Sequence, residues 1–432
     1  MTHSTALLTD HYELTMLQAA LRSGAAHRRC VFETFTRRLP DGRRYGVLAG
    51  TGRVLAALAD FRFGADEIAD LRARRVVDDA TCDWLADYRF RGDISGYAEG
   101  ECFFPGSPVL VVEGTFAEAV VLETLVLSIL NHDSAIASAA SRMTTAAGRR
   151  PCIEMGSRRT HEEAAVAAAR AAYLAGFART SNLEAGRRYG VPTTGTSAHA
   201  FTLLHDSERD AFTAQLGALG VGTTLLVDTY DVTSAVALAI ELAGPQLGAV
   251  RLDSGDLLVQ AREVRDQLDA LGAHGTRIIV TSDLDEHAIA ALAAAPVDGY
   301  GVGTALVTGS GHPTSSMVYK LVAREGPGGE LQPVAKQSKN KTSVGGRKWA
   351  MRRLDASGRA EAEVIGIGTR PADDGNDRPL MVELVRGGEL VAAPDLEAAR
   401  ARHTRSRAEL PRVARQLQRG DVCLPTVYES HG

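Results

Sequence analysis

The order of apolar and polar positions changes character several times along the chain. Up to about Gly114 short stretches of both periods alternate: VFETF and YGVLAG have the run of strands, whereas VLAALADFRF and DEIADLRARR repeat their apolar positions at helical spacing. Asp10 followed by Glu13 predicts a capping box on a helix that Gly24 closes. From about Ala117 long Ala/Leu helices take over in AEAVVLETLVLSILN, DSAIASAASRMTTAAG and HEEAAVAAARAAYLAGF. The alanine run from Ala164 to Ala172 is expected to pack closely in an interior. Between Thr223 and Thr304 the pattern becomes regular. TTLLVD is followed by VTSAVALAIELAG, GAVRLD by GDLLVQAREVRDQLDALG, and TRIIVTSD by LDEHAIAALAAA, with DGYGVG last. Apolar runs alternating with helices predict parallel βα units, as in an α/β barrel, where sites gather at the strand ends. Beyond about Met317 short strands and turns return, broken by a Gly/Pro stretch at Glu325–Glu330. The late charged helix DLEAARARHTRSRAELPRVARQL reads as a solvated basic face. No internal repeat of domain-building length is present.

These changes of texture divide the 432 residues into an N-terminal α+β part (1–116), an α/β barrel part (117–316) and a C-terminal segment (317–432), a division in keeping with the length. An apolar share of 45% and a net charge of −5 describe a globular chain with no electrostatic call for nucleic acid. Cys30, Cys82, Cys102, Cys152 and Cys423 are scattered without a C-x-x-C pair. Buried reduced thiols in a cytoplasmic protein are expected, rather than a disulfide framework or a zinc site. The N-terminus has no basic region leading into an apolar core, so no signal peptide is expected. The apolar stretch Val120–Leu130 is interrupted by Glu123 and too short for a bilayer. No membrane partner is expected.

Three of the regular runs end on an aspartate: Asp228, Asp253 and Asp283. One such aspartate is ordinarily the N-cap of the next helix; three on one rim, beside a glycine turn, point to a polar pocket. The last run ends in Gly301-Val302-Gly303-Thr304, whose backbone N–H groups suit a phosphate dianion with the Thr304 hydroxyl assisting. An ordinary tight turn explains a lone G-x-G-T equally well, although the small residues after it, ALVTGSGHPTS, leave room for a ligand. In Arg251-Leu252-Asp253-Ser254-Gly255-Asp256, Arg251 and Asp253 stand two apart and project to one side of a strand. A guanidinium there forks to an anion, while the carboxylate accepts from ribose hydroxyls or a Mg2+-bound water. The structural alternative is an ion pair with a helix cap at Ser254. His199, in Gly195-Thr196-Ser197-Ala198-His199-Ala200, is either a satisfied polar residue or an imidazole that takes and releases a phosphoryl group. The basic residues Lys336, Lys339, Lys341, Arg347 and Lys348 suit phosphates or a solvated turn alike.

Taken in order, LLTDHYELTM, FETFTRRLP, ETLVLSILNHDS, GSRRTHEEAAVAAARAAYLAGF, TSNLEAG, GTSAHAF, RLDSGDL and YGVGTALVTGSG resemble the nicotinate phosphoribosyltransferases, and more narrowly their actinobacterial branch. The likeness runs from about Leu7 to Arg353. It implies the type II phosphoribosyltransferase fold: an irregular α/β barrel with an α+β N-terminal domain, completed by a C-terminal segment packing back on it. It also implies homodimers that share their active sites. The partners would be nicotinate, phosphoribosyl pyrophosphate and ATP, with Mg2+ as cofactor and no assigned metal ligands. The products would be nicotinate mononucleotide and pyrophosphate, in NAD salvage. By this resemblance His199 is the residue phosphorylated by ATP, and Asp253 lies by the ribose hydroxyls within the Asp253-Ser254-Gly255 run. Arg251 touches the nicotinate carboxylate or the sugar phosphate. Gly301, Gly303 and Thr304 take the 5′-phosphate. Tyr12 stacks on the pyridine ring from the neighbouring subunit; by pattern alone it reads as a core residue on a helix face.

Two positions depart from the family pattern. Met155 stands where nicotinamide-using relatives carry an aromatic, which predicts a weaker clamp on the ring, since a thioether retains only part of the stacking. Ala200 removes the hydroxyl that many relatives place after the histidine. Ser181 aligns with an aspartate of the nicotinamide enzymes. A neutral residue there, with Arg158, Thr196 and Arg251, favours a carboxylate substrate, because an aspartate repels one at close range. Rival readings are a nicotinamide or quinolinate phosphoribosyltransferase, or a non-catalytic metabolite-binding homologue.

Overall fold

The computed structural model describes residues 4–336 and 343–430. The chain forms two compact units, Met1–Ser138 with His312–Gly432, and Ala139–Gly311. In the first, an antiparallel seven-stranded sheet interleaves strands from both chain ends. Its order is Leu331–Pro333, Met317–Glu325, Arg29–Thr36, Leu110–Thr115, Asp93–Tyr97, Met381–Arg386 and Glu389–Leu390. Phe32, paired with Leu321 on one side and Val112 on the other, stacks on Tyr319 with ring centroids 4.9 Å apart. Such offset pairs add to the burial of apolar area that drives the core. The helix His11–Ser23 packs Leu14 and Leu17 into the same core and ends at Gly24 in the left-handed conformation, as expected. Its predicted capping box is absent: Asp10 makes no side-chain cap bond. Glu13 is instead drawn into the interior, where it accepts from Thr124 N at 2.9 Å and from the Thr9 and Thr124 hydroxyls. Of YGVLAG only Gly46–Val47 is strand.

The second unit holds a six-stranded parallel sheet that curls into an open half-barrel, giving the irregular α/β barrel its core. The order is Arg179–Thr180, Cys152–Glu154, Gly299–Val302, Arg277–Val280, Ala249–Leu252 and Thr224–Leu226. The last four in this order are the regular runs of the sequence; the first two are short strands that periodicity did not reveal. Helices Val232–Ala243, Leu257–Ala270 and Glu286–Ala291 return the chain between them. Helix Glu162–Leu174 buries the alanine run except at Ala164. The apolar stretch around Val120–Leu130 proves to be part of a helical segment Phe116–Ala147, long and apolar enough to cross a membrane. Its apolar window is 67% buried inside the protein, as befits a core helix. Four cysteines are buried and Cys423 is half-buried, all with free thiols.

Candidate active site

The helices that follow Thr224–Leu226, Ala249–Leu252 and Arg277–Val280 each begin with their own capping aspartate, and these are not the rim aspartates. Asp231 accepts from Ser234 N, Asp256 from Leu258 N and Val259 N, and Asp285 from His287 N and Ala288 N. Capping therefore leaves Asp228 and Asp253 free for other work. Asp228, just past Thr224–Leu226, has a side chain only 2% exposed. Its Oδ2 accepts from Asp253 N at 2.9 Å and from the Ser254 hydroxyl at 2.7 Å, so Ser254 braces the rim instead of capping a helix. Asp228 Oδ1 is buried and has no hydrogen-bond partner among the described residues. Asp253, 34% exposed, is steadied by the Thr281 hydroxyl from the next strand end. Asp283 is exposed.

His199 opens the helix His199–Leu204 with its side chain 39% exposed. Its Nδ1 is 3.1 Å from the Thr229 hydroxyl, while Nε2 points between Asp228 Oδ1 at 3.9 Å and Asp253 Oδ2 at 3.8 Å. Those separations are too long for hydrogen bonds, so Nε2 is open to a reactant. Arg251 is 12% exposed; its terminal nitrogens donate to the Thr196 hydroxyl at 3.0 Å and Ser197 O at 3.3 Å and lie 3.9 Å from Asp253. Its Nε is buried without a hydrogen-bond partner among the described residues. Burial holds this guanidinium below its usual pKa, against the pull of Asp253 and Asp228, and Arg158 adds to the lowering. A partly dehydrated guanidinium with a spare donor is primed for an anion.

The other strand ends complete the rim. Glu154, fully buried, accepts from the Thr180 hydroxyl and from Gly156 N; burial raises its pKa. It ties the strand ends carrying Met155 and Ser181, whose N–H bonds to Glu154 O at 2.9 Å. Ser181 and Arg158 are exposed. Gly301 is buried within the strand, and a Cβ there would meet the Thr281 methyl at 2.5 Å and Met155 sulfur at 2.7 Å. Gly301 thus makes room for its neighbours' side chains, while Gly303 and the exposed Thr304 form the turn into the short helix Thr304–Val307. Gly255 takes φ +81°, where a side chain would also strike Gln260. Glycine adopts that conformation freely. Glu154, Thr229 and Thr281 escaped sequence reasoning: each is a common residue type whose role comes from a partner distant in the chain.

Nicotinate phosphoribosyltransferase pncB1 of Mycobacterium tuberculosis is 60% identical over 429 residues, covering 97% of this chain and 94% of that protein. The chain belongs to the nicotinate phosphoribosyltransferase family. It is accordingly an enzyme of that class. The nicotinate phosphoribosyltransferase of Bacillus subtilis is 35% identical, over 86% of this chain and 78% of its own length. The model of the nicotinate phosphoribosyltransferase N-terminal domain matches residues 7–131. The crystal structure of human nicotinic acid phosphoribosyltransferase superposes with a TM-score of 0.84 at 26% identity, covering 97% of both chains.

Against this family background, the half-barrel brings together His199, Asp253, Arg251, Thr196 and Ser254, and adds Asp228, Thr229 and Thr281. Tyr12 belongs to the other unit. It is 44% exposed on its helix, not the core residue its spacing suggests; burial, then nearby Glu123, raises its pKa. The basic stretch is largely structural where it is described. Lys348 is 1% exposed and bonds Glu33 at 2.6 Å. Arg347 bonds Glu113 at 3.0 Å with its guanidinium 3.8 Å from the Trp349 ring centre. Neither is available to a phosphate; Lys336 is exposed, and Lys339 and Lys341 lie outside the described residues. The late basic helix is solvated only in part, since Arg402 donates to Glu99 O at 2.6 Å and His403 is buried.

Proposed function

We propose that this enzyme joins nicotinate to the ribose phosphate of phosphoribosyl pyrophosphate, forming nicotinate mononucleotide and pyrophosphate in NAD salvage, with ATP hydrolysis coupled through a phosphohistidine at His199. The observation that carries the reading is the open Nε2 of His199 between Asp228 and Asp253, beside the underpartnered Arg251. A neutral imidazole attacks the γ-phosphorus of ATP, ADP departs with the bond electrons, and the nearby carboxylates favour the cationic ring that results. Water then hydrolyses the phosphohistidine as ribosyl transfer is drawn forward.

At the sugar, the pyridine nitrogen is the nucleophile, and positive charge grows on the ribose as pyrophosphate leaves. Asp253 suits the ribose hydroxyls, and Gly303 with Thr304 the 5′-phosphate through backbone N–H groups. Arg251 suits the carboxylate of nicotinate or the phosphate. Thr196 holds Arg251 in place, and neutral Ser181 with Arg158 leaves an anionic ring substrate unrepelled. Tyr12, exposed on its helix, suits a stacking role on the pyridine contributed from the partner subunit of a homodimer.

The orphaned Asp228 Oδ1, next to the half-exposed Asp253 carboxylate, is a donor set that fits Mg2+, whose preference is for carboxylate oxygen and retained water. Asp228 and Asp253 would hold it; bound there, it would neutralise phosphate charge. The decisive experiment incubates the protein with ATP and nicotinate, with and without phosphoribosyl pyrophosphate, following mononucleotide and ADP together. Mononucleotide formed at the expense of ATP is expected. Equal yield with nicotinamide or quinolinate, or binding without product, refutes the assignment.

A further inference from the structure

The segment after Gly303-Thr304 is held by a buried ion pair that none of the chemistry above uses. Arg142, on the helix Glu123–Ala147, is 8% exposed, and Glu286, opening the helix Glu286–Ala291, is 5% exposed. Arg142 Nε donates to Glu286 Oε1 at 2.9 Å, and the Ser310 hydroxyl donates to Glu286 Oε2 at 2.7 Å. Ser310 sits at φ +52° directly after Gly309 at φ +61°, so two successive left-handed residues reverse the chain behind the short helix Thr304–Val307. Glycine takes that conformation freely; serine does so at a cost and needs its surroundings to impose it. The Glu286 bond and the Ser310 N–H to Ala305 O bond, at 2.6 Å, do so.

A buried ion pair adds little stability over apolar side chains of the same size, so what it supplies here is a defined geometry. Glu286 also follows Thr281, the residue that steadies Asp253, within one connection from strand to helix. The same short piece of chain thereby touches two parts of the rim.

We propose that Arg142, Glu286 and Ser310 form a latch that sets the Gly303-Thr304 turn for the sugar phosphate, with Glu286 as a positioning residue. The latch rests on the reading of that turn as the phosphate site. Its test is steady-state kinetics of the full-length enzyme over phosphoribosyl pyrophosphate concentration, at saturating nicotinate and ATP. Two variants remove the latch without stranding a buried charge: Ser310→Ala, and the double replacement Arg142→Met with Glu286→Leu. Both are expected to raise KM for phosphoribosyl pyrophosphate, by about tenfold in the double variant, with KM for nicotinate and kcat little changed. Gly303→Val serves as the control at the turn itself. If Gly303→Val raises that KM and neither latch variant does, the ion pair is merely structural and the proposal falls. If Gly303→Val leaves it unchanged, the phosphate reading of the turn fails first and takes the latch with it.

Discussion

Glu363, in the unit built from both chain ends, and Asp228, on the half-barrel, are both shut away from water, yet their oxygens are treated differently. Glu363 receives Arg352 at 2.8 Å on one oxygen and the Tyr97 and Ser107 hydroxyls on the other. Around it, Arg378 reaches both oxygens of Glu101 and both of Glu409. Asp228 receives two donors on Oδ2 and none on Oδ1, and the neighbouring His199 and Arg251 also keep unused donor or acceptor capacity. The first arrangement satisfies its carboxylates internally and locks the sheet; the second leaves capacity that a reactant would fill. Burial alone does not tell a structural charge from a functional one. Nor does one missing partner, since Arg352 Nε and Nη1 and both ring nitrogens of His403 are also buried without a hydrogen-bond partner among the described residues; Asp228 differs in that its orphaned oxygen lies beside an open imidazole and a part-exposed carboxylate.

The two histidines extend the contrast. His403 is buried to 1% exposure, and burial, with Arg407 and Arg400 nearby, lowers its pKa to about 3. His199 is open and flanked by carboxylates.

The contrast is broken most sharply at His199. His199→Ala should cut ATP-dependent ADP release by at least about a hundredfold, the scale seen when a reacting group is removed, while leaving the unfolding midpoint in place. Persistent ADP release would assign the phosphoryl acceptor elsewhere. Next comes an exchange of roles between arginines. Arg352→Ala strands Glu363 in the interior and should lower unfolding stability by about 3–5 kcal/mol, measured in denaturant. Arg251→Ala should instead lower kcat/KM with little loss of stability, and a reversal of these two outcomes would undo the comparison.

Acid should act on the first unit through His403. The unfolded chain protonates His403 as pH falls below 6.5, whereas the folded protein resists until about 3. Its contribution to stability is therefore whole above pH 6.5 and is lost progressively as pH drops towards 3. His403→Leu should flatten that acid limb in a series of melting curves; an unaltered limb would trace the loss to other groups. The smallest effect is expected at Ser181→Asp, where a carboxylate introduced at an exposed rim position should weaken nicotinate use by about tenfold or less. Nicotinate kinetics indistinguishable from those of the unaltered enzyme would remove Ser181 from the choice of substrate.

The βα alternation from Thr223 to Thr304 was legible because apolar period and chain direction are local properties, and strands ending in aspartate or glycine lie where a parallel sheet collects its loops. Motif order was equally legible, and it led to the family. Contacts were not. Which aspartate caps a helix and which faces the pocket depends on neighbours: Asp231, Asp256 and Asp285 took the caps. Glu13 looked like half of a capping box because spacing is visible in a sequence and burial is not. Lys348 and Arg347 read as candidate phosphate ligands until Glu33 and Glu113, more than two hundred residues earlier in the chain, claimed them.

The βα order, the family and the residue types that phosphoryl and ribosyl chemistry require can all be read along the chain. Which of those residues stand together with capacity unspent emerges only on folding. Charge and hydrogen-bonding power belong to a residue, but whether they are already satisfied depends on atoms that folding brings from elsewhere in the chain.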